Sequence, residues 1–432
     1  METTKIAIVG LGTVGTGVAQ LLLEHAEHTN RYAGRAIILE KVVVRDCNKA
    51  RDIKLPDGVL TDRLEDVTKD PEIRCVVQLI GGVEPARSIM LQLLESGKDV
   101  VTANKALLAE HGDELFDRAR ELGRSIAFDA AVAGGIPIVT NVGQCLSANR
   151  IESIHGILNG TCNFIISQME EHEASYAQAV EEAQQRGYAE ADPTMDVNGS
   201  DAAQKLALLA HLAFGSRVHW SEIPCEGIES LRPIDLQYAK ELGYRLKLLA
   251  VARLEDGELE LHVGVQLVRR DSPMAGVGGA YNAIRLIGDA VGRVWFQGMG
   301  AGRMPTASAV VADLIDMIVG RTAITFQTLQ LWSEKPARVL PRPSFRTATR
   351  YYFRFMVKDH PGVLAEITGA LSKEGISIAS FIQHERHESK DDKVPLVIMT
   401  HHTTVGAADR AIEKINRLQM VHEPAMRMRI LD

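Results

Sequence analysis

The stretch EADPTMDVNGSDAAQK gathers carboxylates at Glu190, Asp192, Asp196 and Asp201 and closes on Lys205. Pro193 disfavours helix just before it, so residues 190–199 are expected to form an ordered loop. Ser200 or Asp201 can then start a helix. Asp201 and Lys205 stand at i and i+4, which places both side chains on one face of its first turns. A carboxylate beside an ammonium positions the lysine and tunes its proton affinity. That pair suits moving a proton at a carbonyl oxygen while hydride moves at its carbon. The same spacing is also that of an exposed Asp–Lys helix pair worth about 0.3 kcal/mol. Spacing alone favours the plainer reading.

A second run, IVGLGTVG, carries Gly10, Gly12 and Gly15 in G-x-G-x-x-G spacing, with Thr13 and Val14 inside it. It ends a strand-like segment and opens a helix-like one, the context in which this spacing holds a dinucleotide. The first glycine permits the tight turn, the second lets backbone approach a pyrophosphate, and the third allows close helix packing. A glycine turn that binds nothing is the plain alternative. At the end of the next strand, VVVRDCNKAR offers Arg45, which can pair with a 2′-phosphate, beside Asp46, which prefers a ribose hydroxyl. NADP is favoured over NAD, unless Arg45 is only a solvated strand end. Lys105 in TANK follows a later strand at the carboxyl edge, where ligands of such sheets bind. It is either a cofactor- and substrate-facing lysine or a surface residue at a helix start.

The elements that must position these residues fall into three blocks. In the first, apolar runs at 5–10, 36–45, 74–82, 98–104 and 125–132 alternate with helical segments at 13–27, 85–96 and 113–122. Short β-branched strands separated by helices indicate an α/β fold with a Rossmann-type parallel sheet. The middle block reads as an α+β second domain with an antiparallel sheet. Its strand at 151–159 precedes helices at 161–170, 175–186 and 200–214, and Asp256-Gly257 turns a hairpin over 247–268. A second hairpin over 281–298 and a helix over 306–319 follow. The prolines Pro336, Pro341 and Pro343 mark a linker. The last block runs βαββαβ, with strands at 351–358, 378–384, 394–401 and 425–431. The expected domains are 1–133, completed by roughly 303–320, for the dinucleotide; 134–302 as the α+β domain, to which the family resemblance below gives catalysis and dimerisation; 321–349 as linker; and 350–432 as a small module, to which it gives regulation.

Composition narrows the partners. The chain of 432 residues is 46% hydrophobic and 24% charged, an ordinary globular balance. A formal charge of −8 argues against nucleic acid. No apolar run is long enough for a bilayer, and METTKIAIVG enters a strand at once without a signal peptide. Five scattered cysteines, Cys47, Cys75, Cys145, Cys162 and Cys225, suit reduced thiols in a cytoplasm, mostly as core fillers. His384, His387, His401 and His402 read as solvated strand-end residues, since they lack a recognised metal spacing.

The run from Ala183 to Lys205 resembles the signature of homoserine dehydrogenases. Ala183, Gly187, Asp192, Pro193, Asp196, Gly199, Asp201 and Lys205 fill its fixed positions. The segments GILNGTCNFI, AVAGGIPI and GMGAGRMPTASAVVADL are similar to that family too, and DHPGVLAEITGAL resembles an ACT regulatory domain. The resemblance implies interconversion of L-aspartate 4-semialdehyde and L-homoserine with NAD(P). It gives Lys205 as proton donor with Lys105 as runner-up, Asp201 for the substrate hydroxyl and Glu190 for its ammonium. Gly302 is implied as a backbone contact to the cofactor. A sodium ion held by Asp129 and the carbonyls of Val132, Gly134 and Ile136 is implied as well. So are a homodimer or dimer of dimers, and threonine as an effector near the Gly362 turn. Three positions depart from the pattern: Asp129 stands for Glu, Cys162 for Thr and Phe164 for Tyr. A dehydrogenase for another semialdehyde, and a non-catalytic NADP- and amino-acid-binding regulator, are the rival readings.

Overall fold

The computed structural model describes residues 2–333, 337–384 and 393–431. Pro336 and His387 therefore lie outside the described residues. The chain divides into two compact units. One comprises Met1–Glu152, Gln204–Glu222 and Ile284–Val339; the other comprises Ser153–Ala203, Ile223–Ala283 and Leu340–Asp432.

The first unit is built on a six-stranded parallel sheet. Its strands are β1 (Thr3–Val9), β2 (Ala36–Val43), β3 (Leu60–Thr61), β4 (Ile73–Gln78), β5 (Asp99–Thr102) and β6 (Ile126–Ala127), in the order β3-β2-β1-β4-β5-β6. Ile6, Ile8, Val42, Val77 and Val101 are buried and pack with Ala307, Val310 and Leu314 of the helix Arg303–Ile318. Strands buried on both faces give the continuous apolar runs seen in the sequence. The run at 125–132 differs from expectation. Only two residues stay in the sheet, and a 3-10 turn at Asp129–Ala131 carries the chain away. Residues 321–349 differ as well. A helix at Arg321–Leu329 occupies the proline-free start of that segment, and its Phe326 is buried and stacks 5.4 Å from Phe116.

The second unit carries β7 (Ile151–Ile157, from Ser153 onward), β8 (Tyr244–Glu255) and β9 (Glu258–Arg269). Between β8 and β9, Asp256 and Gly257 both take positive φ (53° and 79°), as a primed hairpin turn requires. The C-terminal βαββαβ module follows the expected order. Its strands β12 (Ala348–Lys358), β13 (Ile378–Ile382), β14 (Lys393–Thr400) and β15 (Met426–Leu431) are joined by helices at Val363–Lys373 and Val405–Asn416. The numbers between belong to the hairpin β10 (Tyr281–Gly288) and β11 (Gly292–Met299), whose first strand starts in this unit and continues into the other.

The module is fused to the sheet of β7, β8 and β9, giving the order β7-β8-β9-β15-β12-β14-β13. At the seam β15 runs parallel to β9, with Arg429 opposite Gln266 and Leu431 opposite Val268. Two buried polar links reinforce it. Arg354 of β12 grips Asp235 bidentately at 2.6 and 3.1 Å. Arg429 reaches Glu260 and His262 of β9, each at 3.0 Å. No helix among the described residues is long and apolar enough to cross a membrane. Of the five cysteines, only Cys75 and Cys162 fill the interior; Cys47, Cys145 and Cys225 are exposed, against the core-filler expectation.

Candidate active site

In the first unit, the glycine turn has the geometry that its spacing foretells. Gly10 sits at φ 101°, and a Cβ there would meet the Leu79 carbonyl at 2.8 Å. A Cβ on Gly15 would lie 2.1 Å from the Gly10 carbonyl, so the helix can approach the strand only without a side chain. Around Gly12 there is open space, and Thr13 and Val14 begin the helix Thr13–Glu24 beside it. Amides at a helix start facing open space fit a pyrophosphate. At the end of β2, Arg45 is exposed and makes no hydrogen bond or ion pair among the described residues. Asp46 is instead committed to its own turn, accepting from the Asn48 amide at 2.8 Å.

Lys105 is half-buried and opens the helix Lys105–Glu121. Asn104 caps that helix by accepting from Leu107 N at 3.1 Å. Its amide nitrogen also holds the carbonyls of Ile80 and Gly82 at 2.9 and 2.6 Å. The segment after β4 and the segment bearing Lys105 are thus tied together. Gly302 precedes the helix Arg303–Ile318 at φ 117°, a conformation suited to glycine.

Asp129 is buried, and its carboxylate caps the following helical turn. It accepts from Val139 N at 2.9 Å, and from the backbone and hydroxyl of Thr140. The amide of Asp129 donates to buried Asp313 at 2.8 Å. Burial raises the pKa of both acids, and for Asp313 the neighbouring Asp129 charge adds to it. The Ile136 carbonyl accepts from Ile138 N at 2.7 Å. The donor set implied for sodium is therefore already satisfied at two of its four members by protein groups. Among the described residues, no group of three or more His, Cys, Asp or Glu could hold a metal ion.

In the second unit, Asn159 organises the acidic segment, and sequence reasoning did not single it out. It follows β7 and caps the helix Gly160–Glu171, accepting from Cys162 N at 2.7 Å. Its amide nitrogen donates to Asp196 at 2.8 Å and to buried Asp201 at 2.9 Å. Asp201 stands in the first turn of the helix Ser200–Phe214, which also carries half-buried Lys205. Residues 190–199 are not wholly irregular, because Thr194–Val197 forms one helical turn. Asp192 starts that turn by accepting from the amide and hydroxyl of Thr194 at 3.1 and 2.6 Å, which holds its carboxyl below the usual range. Cys162 reaches the Asp196 carbonyl through its thiol at 3.1 Å.

The Glu190 carboxylate is exposed and makes no hydrogen bond or ion pair among the described residues. Its backbone is fixed by Gln184, whose amide donates to the carbonyls of Glu190 and Ala191, each at 3.2 Å. Close by, Thr161 donates to the Tyr188 carbonyl at 2.7 Å, and the Phe164 and Tyr188 rings pack 4.9 Å apart. The missing phenol of Phe164 is thus replaced by an apolar aromatic contact. The motif in the sequence points to Asp201 and Lys205. The group that orients Asp201, Asn159, lies 42 residues earlier in the chain.

Comparison with known proteins points to one family. The family model described as homoserine dehydrogenase matches residues 137–315, and that described as homoserine dehydrogenase, NAD binding domain, matches residues 10–129. A homoserine dehydrogenase of Pseudomonas aeruginosa is 44% identical over 100% of this chain and 99% of its own length. The chain belongs to the homoserine dehydrogenase family. It is an NAD(P)-dependent oxidoreductase of the class acting on a CH–OH group. A crystal structure of a homoserine dehydrogenase from Thiobacillus denitrificans superposes with a TM-score of 0.91 at 42% identity, covering 100% of this chain and 99% of the other. A hyperthermophilic archaeal homoserine dehydrogenase in complex with NADPH matches with a TM-score of 0.60 at 25% identity, over 73% of this chain and 97% of its own. Residues 351–418 match the ACT domain model, so the C-terminal βαββαβ module belongs to that family of domains.

Proposed function

We propose that this chain interconverts L-aspartate 4-semialdehyde and L-homoserine, preferring NADP, in the biosynthesis of threonine, methionine and isoleucine. The observation that carries the reading is the fixed carboxylate of Asp201, held by Asn159, one helical turn ahead of Lys205. A bound nicotinamide would supply the hydride acceptor for the carbinol carbon in oxidation and the hydride donor to the aldehyde carbon in reduction. In the oxidation, the hydroxyl proton passes to the Lys205 amine, directly or through a water; in the reduction, the Lys205 ammonium returns it. Lys105 is the second candidate for this proton. Asp201 holds the reacting hydroxyl beside Lys205. The Glu190 carboxylate, exposed and without a partner among the described residues, binds the substrate ammonium.

For the cofactor, Gly10, Gly12, Thr13, Val14 and Gly15 supply the phosphate-facing turn, with Gly302 as a further backbone contact. Arg45 favours the 2′-phosphate, since its exposed guanidinium has no partner among the described residues while Asp46 is engaged in its turn. The NADPH bound by the archaeal relative is consistent with this preference. Sodium enters the reading only as support for the loop bearing Asp129, Val132, Gly134 and Ile136, and no step depends on it. Threonine acts as a feedback inhibitor at the ACT module near Gly362, and the working form is a cytoplasmic homodimer. Homoserine-dependent reduction of NADP, followed at 340 nm with and without threonine, tests the proposal. Turnover of homoserine with a decrease on adding threonine is expected. Absence of turnover overturns the substrate assignment, and indifference to threonine overturns only the regulatory part.

A further inference from the structure

Lys247 stands within β8 with 1% of its surface exposed. Its ammonium donates to Asn163 Oδ1 at 3.0 Å and to the Val277 carbonyl at 2.6 Å. Burial pushes its pKa down to about 8, against the opposing pull of Glu170 and Glu171; Arg245 on its own strand adds to the depression. Across the ladder it faces Gln266, which carries no charge. Burying an ammonium is costly unless it is well hydrogen-bonded. A hydrocarbon side chain would fill a strand position without that cost, so what the ammonium holds is the informative point.

Asn163 places its amide nitrogen 3.2 Å from the Val277 carbonyl, 2.8 Å from that of Gly279 and 3.2 Å from that of Tyr281. Residues 277–281 therefore form a strap lying along the helix Gly160–Glu171. The strap presses closely: a Cβ on Gly160 would lie 2.6 Å from the Ala280 carbonyl. One residue beyond, Asn282 donates to the Leu158 carbonyl at 3.0 Å. The strap grips the chain just before Asn159, at Leu158, and just after it, at Gly160 and Asn163. Asn159 is the residue that holds Asp196 and Asp201.

We propose that Lys247 is a positioning residue for Asp201: its ammonium locks Asn163 to the 277–281 strap, and the strap sets the angle at which Asn159 presents Asp201. The inference rests on the reading of Asp201 as the group that holds the substrate hydroxyl. A lysine that merely fills a polar hole would affect stability and leave the kinetic constants of the folded enzyme unchanged.

The test measures kcat and KM for homoserine and for NADP in Lys247→Met, Asn163→Ala and the double variant, beside Asp201→Asn. Each of the first two should lower kcat by about 10- to 100-fold, the scale of a small misplacement at a reacting centre. KM for NADP should be unchanged. The double variant should fall no further than the worse single one, because both act through one strap. Wild-type kcat in folded Lys247→Met, or losses that multiply in the double variant, overturns the proposal. Should Lys247→Met fail to fold, Asn163→Asp decides the matter. That variant keeps an acceptor for the ammonium but sets a carboxylate against three carbonyls; reduced kcat supports the lock, and wild-type kcat overturns it. Asp201→Asn separates the two levels. Full activity there removes the site reading and the lock with it, whereas an impaired Asp201→Asn beside an unimpaired Lys247→Met removes the lock alone.

Discussion

The amide nitrogen of Asn159 lies 2.9 Å from Asp201 and 2.8 Å from Asp196, so one side chain fixes two carboxylates that are 42 and 37 residues away in sequence. Hydrogen bonds to charged groups contribute on the order of 1.5–3 kcal/mol each. Asn159→Leu should therefore lower kcat by ~10–100-fold, since about 1.4 kcal/mol of barrier is tenfold in rate. Steady-state kinetics with homoserine check this. Unchanged kcat would show that Asp201 is held by its helix alone.

Lys205 and Glu190 should fail in different ways. Lys205→Ala removes the proton carrier and should cut kcat by ~10²–10⁴-fold with cofactor binding preserved, as seen by fluorescence titration of NADPH. Glu190→Gln removes a charge-assisted contact and should raise KM for homoserine by about 10- to 100-fold. A fall in kcat alone for Glu190→Gln would reassign that residue.

Arg45 should decide between the two dinucleotides. Arg45→Gln ought to raise KM for NADP by ~10-fold or more while leaving KM for NAD nearly unchanged, because only the 2′-phosphate meets the guanidinium. Equal effects on both cofactors would place Arg45 away from the ribose.

The seam between β9 and the C-terminal module should weaken in acid. Burial holds His262 neutral, with its pKa lowered from 6.5 to about 4, and the Arg429 charge adds to the effect. Below 6.5 an unfolded chain takes up a proton that native His262 refuses, so stability is lost as pH falls from about 6.5 toward 4. Burial works to raise the pKa of Glu260, but His262, Arg253 and Arg429 outweigh it and bring the value from 4.5 to about 2. That carboxylate adds a second loss between those values. Calorimetric Tm against pH should fall across both windows, and His262→Gln should remove the upper one. A flat Tm between pH 6.5 and 4 would contradict the assignment.

Much of the fold was legible because the central strands β1 and β4 of the first sheet are short β-branched runs largely buried on both faces, whereas the two-residue β3 left no such run. The glycine turn and the helix starting at Ser200 were legible for similar local reasons. The helix opening at Lys105 was less so, and the sequence suggested a start only at Asp113. His111 leaves helical geometry there (φ −130°, ψ 21°), and Gly112 comes so close to the Trp332 indole that a Cβ would meet it at 3.0 Å. A kink packed on a distant aromatic breaks the local period. Asn159 and Lys247 were invisible for another reason. Their meaning lies in partners dozens of residues away, and no spacing rule encodes such pairs.

The seam also orders how the second unit can be made. Strand β15 comes after β9 and β12 in the chain, yet it lies between them. Until it arrives during synthesis, β9 lacks its partner along Gln266–Val268 and β12 along Arg350–Arg354. Such unpaired edges invite pairing with foreign chains. The strand pairing that fuses the C-terminal module to β9 is therefore closed last, and the nascent sheet gains from shelter until then.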